Sequence, residues 1–173
     1  MFQAILCDDN EIILEGLSSQ IKWKDLGIEL TATAADGNEA WELIQKNPPD
    51  LLITDIRMPY MDGLELSRRL NDEYKNVHII IFTGFDEFDY AKEAVHLEID
   101  EYMLKPINAV ELSECLKRVK NSLDKEREEK LNVQKLENYF DDVLPIIQTN
   151  FFVSLIEGRV NESEYEKFCR HTR

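Results

Sequence analysis

The feature that most narrows the fold is an alternation. Five short strand-like runs, Phe2–Cys7, Ile28–Ala34, Leu51–Thr54, Val77–Phe82 and Glu101–Leu104, are each followed by apolar residues at helical spacing. The stripes are Ile12, Ile13, Leu17 and Ile21; then Ala40, Trp41 and Ile44; then Leu64, Leu66 and Leu70. Asp86–Leu97 follows, with Phe88, Ala91, Ala94 and Val95 facing inward, and the last stripe is Leu112, Leu116 and Val119 behind a capping Asn108. Trp23–Gly27 reads as a turn, and Asn47-Pro48-Pro49 stops the second helix. The run VHIIIF has no polar face to give to water, so it reads as a central strand buried on both sides. Successive β–α units with connections of a few residues predict an α/β fold, a five-stranded parallel sheet covered by helices on both faces.

The strand ends carry the chemistry. Asp8-Asp9 follows the first strand, Asp55 the third, Thr83 the fourth and Lys105 the fifth. In a parallel sheet all four places lie on the carboxyl edge, where open α/β folds bind ligands. Asp55 is the centre of the group, because Pro59 and Asp62-Gly63 turn the chain away and leave its carboxylate beside a short exposed loop. Three carboxylates converging there would push at least one pKa up unless a cation joins them. Oxygen ligands in that number suit a hard ion such as Mg²⁺. A Mg²⁺, an ammonium and a hydroxyl around one carboxylate oxygen are what phosphoryl transfer to that oxygen requires. The constellation predicts an aspartyl phosphate at Asp55.

The ordered set DD, TDIRMPYMDG, IIIFTG and YMLKP resembles the receiver domain of two-component response regulators, over about residues 2–122. The resemblance implies a flavodoxin-like sheet of order 2-1-3-4-5. It implies that Asp55 accepts phosphoryl from a sensor histidine kinase. Asp9 and Asp55 would ligate Mg²⁺ directly, Asp8 would act through water, and the backbone carbonyl of Arg57 would complete the protein ligands. Lys105, in a cis bond to Pro106, would pair with the phosphoryl group. Thr83 would swing its hydroxyl toward it, and Tyr102 would turn inward as Thr83 moves, altering the face made by the Asp86–Leu97 helix, the last strand and the helix after Asn108. The only chemistry implied is the domain's own phosphorylation and dephosphorylation. Trp23 before Asp25-Leu26-Gly27, and the segment TGFDEFDYAKEAVHLEIDEYMLKPI, look like receivers attached to AraC-type DNA-binding domains. That likeness implies a transcription factor whose DNA-binding domain lies outside this chain.

Composition excludes several alternatives. A formal net charge of −15 argues against this chain gripping a phosphate backbone itself. Most of the excess is early, with 24 acidic against 12 basic side chains in residues 1–122. Three cysteines, Cys7, Cys115 and Cys169, form no metal or CxxC spacing and fit reduced thiols in the cytoplasm. No apolar run approaches the roughly 20 residues that span a bilayer, and no signal peptide precedes Asp8. The rival from another class is a Mg²⁺-dependent phosphatase of the haloacid-dehalogenase type, which would need an acid two residues after its nucleophile. Arg57 stands there instead. A pseudo-receiver acting only as a binding module would lack the acids that this chain keeps.

Residues 123–173 read as a helical linker leading toward an absent effector domain. Leu112, Leu116, Val119 and Leu123 step by four, three and four, carrying the fifth helix past the domain, and Asp124–Lys130 is charged but made of helix formers. Leu136, Phe140, Val143 and Ile147 repeat the step, with Pro145 expected to kink or end the helix. Gly158 is a stop signal, and Ser163 with Glu166 could form a capping box. Two arrangements fit: a coiled-coil homodimer, or a helical hairpin folding back on its own chain.

Overall fold

The computed structural model describes residues 1–84, 97, 99–159 and 161. The strands are β1 (Phe2–Cys7), β2 (Ile28–Ala34), β3 (Leu51–Asp55), β4 (His78–Thr83) and β5 (Glu101–Leu104). The helices are α1 (Glu11–Gln20), α2 (Gly37–Lys46), α3 (Gly63–Glu73) and α4 (Ala109–Ile156), with a 3₁₀ turn over Trp23–Leu26. The strands form one parallel sheet of order β2-β1-β3-β4-β5. The sheet order and the five strands are those expected, with β3 one residue longer than Leu51–Thr54 and β4 displaced one residue from the Val77–Phe82 run. The chain divides into two compact units, Met1–Lys125 and Glu126–Arg173.

In the first unit, side-chain alternation along each strand feeds two cores. Leu51, Ile53, Ile80 and Phe82 point to the face covered by Leu14 and Leu17 of α1, by Ile21 just past its end, and by Leu112, Leu116, Val119 and Leu123 of α4. Leu52, Ile79 and Ile81 point to the other face, under Ala40 and Ile44 of α2 and Leu66 and Leu70 of α3. Every residue of β3 and β4 is buried, as the lack of polar alternation in their sequences requires.

Helix starts follow local side-chain chemistry. Asn10, Asp36, Asp62 and Asn108 each accept a hydrogen bond from a first-turn N–H, satisfying donors that have no partner within the helix. The inward stripe of α1 differs from the expected one. Ile12 is 80% exposed, because it lies about 200° around the helix from Leu14, which steps by three and four to Leu17 and Ile21.

The second unit is described from Glu126 through the end of α4, which Pro145 does not terminate. The carbonyl deprived of its donor belongs to Asp141, an exposed residue one turn earlier, so water can replace the lost bond. The helix closes at Gly158 (φ 68°), where the Arg159 N–H bonds the Ser154 carbonyl at 2.9 Å. The expected Asp86–Leu97 helix, apart from buried Leu97, and the Ser163–Glu166 capping box lie outside the described residues.

Candidate functional site

Strand register brings the predicted residues together. Cys7 is paired with Thr54, Asp55 with Phe82 and Thr83 with Leu104, so the residues that end or follow these strands line one edge. The ladder continues one step past each strand. The Asp8 N–H donates to the Ala34 carbonyl at 3.2 Å, and the Lys105 N–H to the Thr83 carbonyl at 2.8 Å. The Lys105–Pro106 bond is cis.

The side chains converge on the Lys105 ammonium. Its Nζ lies 2.8 Å from Asp8 Oδ2 and 2.9 Å from Asp55 Oδ2. The remaining oxygens take backbone donors: Asp8 Oδ1 accepts from Asn10 N–H and Asp55 Oδ1 from Ile56 N–H, both at 2.9 Å. Asp8 and Asp55 are buried, while Asp9 is exposed at the rim. Burial pushes the Asp55 carboxyl above the usual carboxylate range and the nearby Asp8 adds to this, against the hydrogen bond and charge of Lys105. Burial pulls the Lys105 ammonium down, but the hydrogen bonds and charges of Asp55 and Asp8 outweigh it and hold its pKa above the ordinary lysine value. One ammonium cannot balance the two acids it touches and a third beside them.

That imbalance is what a hard cation would answer. Asp8, Asp9 and Asp55 each offer a carboxylate oxygen, all within 4.8 Å of one another. The donor set is oxygen only, with Asp8 and Asp55 buried and Asp9 open to water, and it fits a divalent ion that keeps several waters. Arg57 is two residues beyond Asp55 on the connecting loop, with its side chain exposed.

Thr83 ends β4, is buried, and donates its hydroxyl to the Gly84 carbonyl at 3.3 Å. Tyr102 lies on β5 with its ring against the α2–α3 core. Its hydroxyl is buried and has no hydrogen-bond partner among the described residues, and burial raises its pKa.

The loop between β3 and α3 holds two features that turn chemistry alone did not reveal. Gly63 packs on the backbone of the key residue: a Cβ there would come within 2.0 Å of the Asp55 carbonyl oxygen. Glycine is therefore required by close approach, beyond the turn signal read in Asp62-Gly63. Tyr60 adopts φ 66°, and the Met61 N–H reaches back to the Pro59 carbonyl at 2.7 Å, a three-residue turn that a non-glycine residue enters only under strain.

The comparisons agree with this geometry. Residues 4–117 match the response regulator receiver domain family. The uncharacterized transcriptional regulatory protein YesN of Bacillus subtilis (strain 168) is 35% identical over 158 residues, 91% of this chain and 43% of that protein. The transcriptional regulatory protein HptR of Staphylococcus aureus (strain NCTC 8325 / PS 47) is 34% identical over 169 residues, 96% of this chain and 66% of that one. The chain thus spans less than two thirds of either relative. The REC domain of AraT, a response regulator from Geobacillus stearothermophilus, superposes with a TM-score of 0.70 at 40% identity, covering 73% of this chain and 98% of that one. A two component transcriptional regulator AraC from Clostridium phytofermentans ISDg gives 0.69 at 31% identity with the same coverage. With the sheet order, the acidic edge and the family match in agreement, this chain belongs to the response regulator receiver domain family.

Proposed function

We propose that the chain is the phosphoacceptor part of a two-component transcriptional regulator, with Asp55 as the accepting residue. The observation that carries this is the Lys105 ammonium held between Asp8 and Asp55, at the rim where Asp9 meets solvent. In the transfer, an Asp55 carboxylate oxygen forms a bond to phosphorus while the bond from phosphorus to a kinase histidine nitrogen breaks, and that nitrogen keeps the electron pair. Lys105 neutralises the phosphoryl oxygens and Thr83 donates to one of them. Asp9, Asp55 and the Arg57 carbonyl would hold Mg²⁺, with Asp8 acting through water; the ion supplies charge neutralisation to the transferring group.

Phosphorylation changes output only if the phosphoryl group binds one conformation better than another. Thr83 and Tyr102 are the residues assigned to that coupling, and the buried Tyr102 hydroxyl, without a partner among the described residues, supports the assignment. The partner upstream is a sensor histidine kinase. Downstream, transcription would be controlled through an AraC-type DNA-binding domain outside this chain; YesN and HptR, its longer relatives, are transcriptional regulatory proteins, and the similar Clostridium phytofermentans structure is a regulator named AraC. Among the described residues no helix is long and apolar enough to cross a membrane, which accords with a cytoplasmic regulator. Association of two copies through the second unit would convey the state of the receiver.

The test is intact mass after adding Mg²⁺ and acetyl phosphate. The native chain should gain one phosphoryl group, about 80 Da in mass, and Asp55→Asn should gain none. An equal gain on Asp55→Asn would place the phosphoryl group elsewhere. Absence of both an adduct and a beryllofluoride complex would end the proposal.

A further inference from the structure

We propose that the α4 segment from Val133 to Phe151 is the docking face for a second copy of this chain, packed parallel and in register. Val133, Leu136, Phe140, Val143 and Ile147 step by three, four, three and four along one continuous helix. That is the a/d repeat of a left-handed coiled coil. Leu136, Phe140 and Ile147 are 57%, 63% and 50% exposed. The face is apolar well beyond the seam. With Val133 at position a, the flanking e and g positions include Tyr139, Leu144, Ile146 and Phe151, where two-stranded coils usually carry charges. Glu137 flanks the seam at e and Asn150 takes its last d position, while Gln134, Lys135, Asp141, Asp142 and Gln148 lie on the opposite, polar side. Pro145 falls on that polar side too, so the helix carries it without interrupting the seam.

Direction follows from what each alignment would bury. In a parallel pair, g meets e of the next heptad, so Tyr139 meets the partner's Leu144 and Ile146 meets the partner's Phe151. Apolar groups cover apolar groups. The pairing stops upstream, because Glu126 and Glu129 occupy a and d and would each face their own copy. An antiparallel pair centred on Phe140 and Val143, in which e flanks e and g flanks g, would instead set Glu126 against the partner's Glu157 and Lys130 beside the partner's Phe151. It would desolvate charge at both ends and place Glu137 beside the partner's Leu144. The parallel arrangement sets apolar flank against apolar flank and pairs Asn150 with its own copy, a single polar layer in the seam. This names the contact behind the association invoked above; the pair forms before phosphorylation, which would act by changing its strength, so it stands or falls without the switch.

The experiment uses the full chain, and the Asp55→Asn chain alongside it to remove the switch. Sedimentation equilibrium at tens of micromolar should give about twice the 20.3 kDa chain mass for both. Phe140→Glu should return the chain to a monomer, and Asp141→Asn on the polar side should not. Because Phe140→Glu could also loosen the helix, direction is read separately from Leu136→Cys in a Cys169→Ser background, where Cys7 and Cys115 are buried. Parallel pairing puts Leu136 opposite Leu136, within disulfide reach, and predicts near-complete crosslinking under mild oxidation. The antiparallel pair separates the two by about 16 Å along the axis and predicts none. A monomeric native chain, a dimer indifferent to Phe140→Glu, or a dimer without the Leu136→Cys crosslink would each overturn the proposal.

Discussion

The two units of this chain are out of balance in opposite senses. The receiver hides polar groups: the Asp55 carboxylate is buried against two other acids, and the Tyr102 hydroxyl is buried without a partner among the described residues. The α4 segment beyond Lys125 exposes apolar ones, with Phe140 and Ile147 at least half exposed. Each state is costly in isolation, since water favours the reverse arrangement. The difference indicates what each region waits for. A buried excess of negative charge calls for a cation and a phosphoryl group, and an exposed apolar stripe calls for another helix.

The comparison breaks most easily in the cores. Phe82 is fully buried between β3 and β5, so Phe82→Ala should cost about 3–5 kcal/mol of receiver stability in chemical denaturation. Leu136→Ala removes a comparably apolar side chain from a site more than half exposed, and should leave receiver stability within about 0.5 kcal/mol. Equal losses would mean that α4 beyond Lys125 is already part of a core. Gly63→Ala comes next. Its Cβ would collide with the Asp55 carbonyl, so the β3–α3 loop must shift, at about 1–3 kcal/mol. Phosphoryl uptake should fall with it, because the shift moves Asp55 itself. Unchanged uptake would show that the loop yields without disturbing the site.

How far these regions were legible in the sequence follows the same division. The strands were readable because β3 and β4 are buried on both faces and so carry uninterrupted apolar runs. The acids and Lys105 were readable because parallel topology sends every strand end to one edge. Ile12 was misassigned because apolar character does not specify which side of a helix meets the core. Gly63 was read as a turn residue only, since contact with the Asp55 backbone depends on tertiary approach. Of the two outcomes expected at Pro145, an end to the helix does not occur: α4 runs on to Ile156, and the Asp141 carbonyl that loses its donor belongs to an exposed residue.

A smaller effect sharpens the electrostatic half. Asp55 has its pKa raised in the fold, first by burial, so the folded state binds its proton more tightly than the unfolded state does. The stabilising contribution is complete below the unfolded carboxylate pKa and is lost as pH rises through the folded one. At neutral pH the ionised side chain is therefore a net cost, and Asp55→Asn should raise Tm by about 2–4 °C, the shift that about 1 kcal/mol makes in a chain of this size. The gain should close as pH falls toward about 4. Thermal scans across that range, without Mg²⁺, check the sign. A destabilised Asp55→Asn at neutral pH would mean that the Lys105 contacts outweigh burial.

The smallest expected effect is at Tyr102, and it separates a switch residue from a packing residue. Tyr102→Phe keeps the ring against the α2–α3 core and removes only a hydroxyl that has no partner among the described residues. Deleting a buried donor of that kind removes its desolvation cost, so the unphosphorylated chain should gain up to about 1 kcal/mol. If phosphorylation moves Thr83 and hands the Tyr102 hydroxyl a partner, the same substitution should destabilise the beryllofluoride complex. Denaturation of both variants, with and without beryllofluoride and Mg²⁺, therefore yields a change of sign. Equal gains in both states would leave Tyr102 as a core aromatic with no part in the switch.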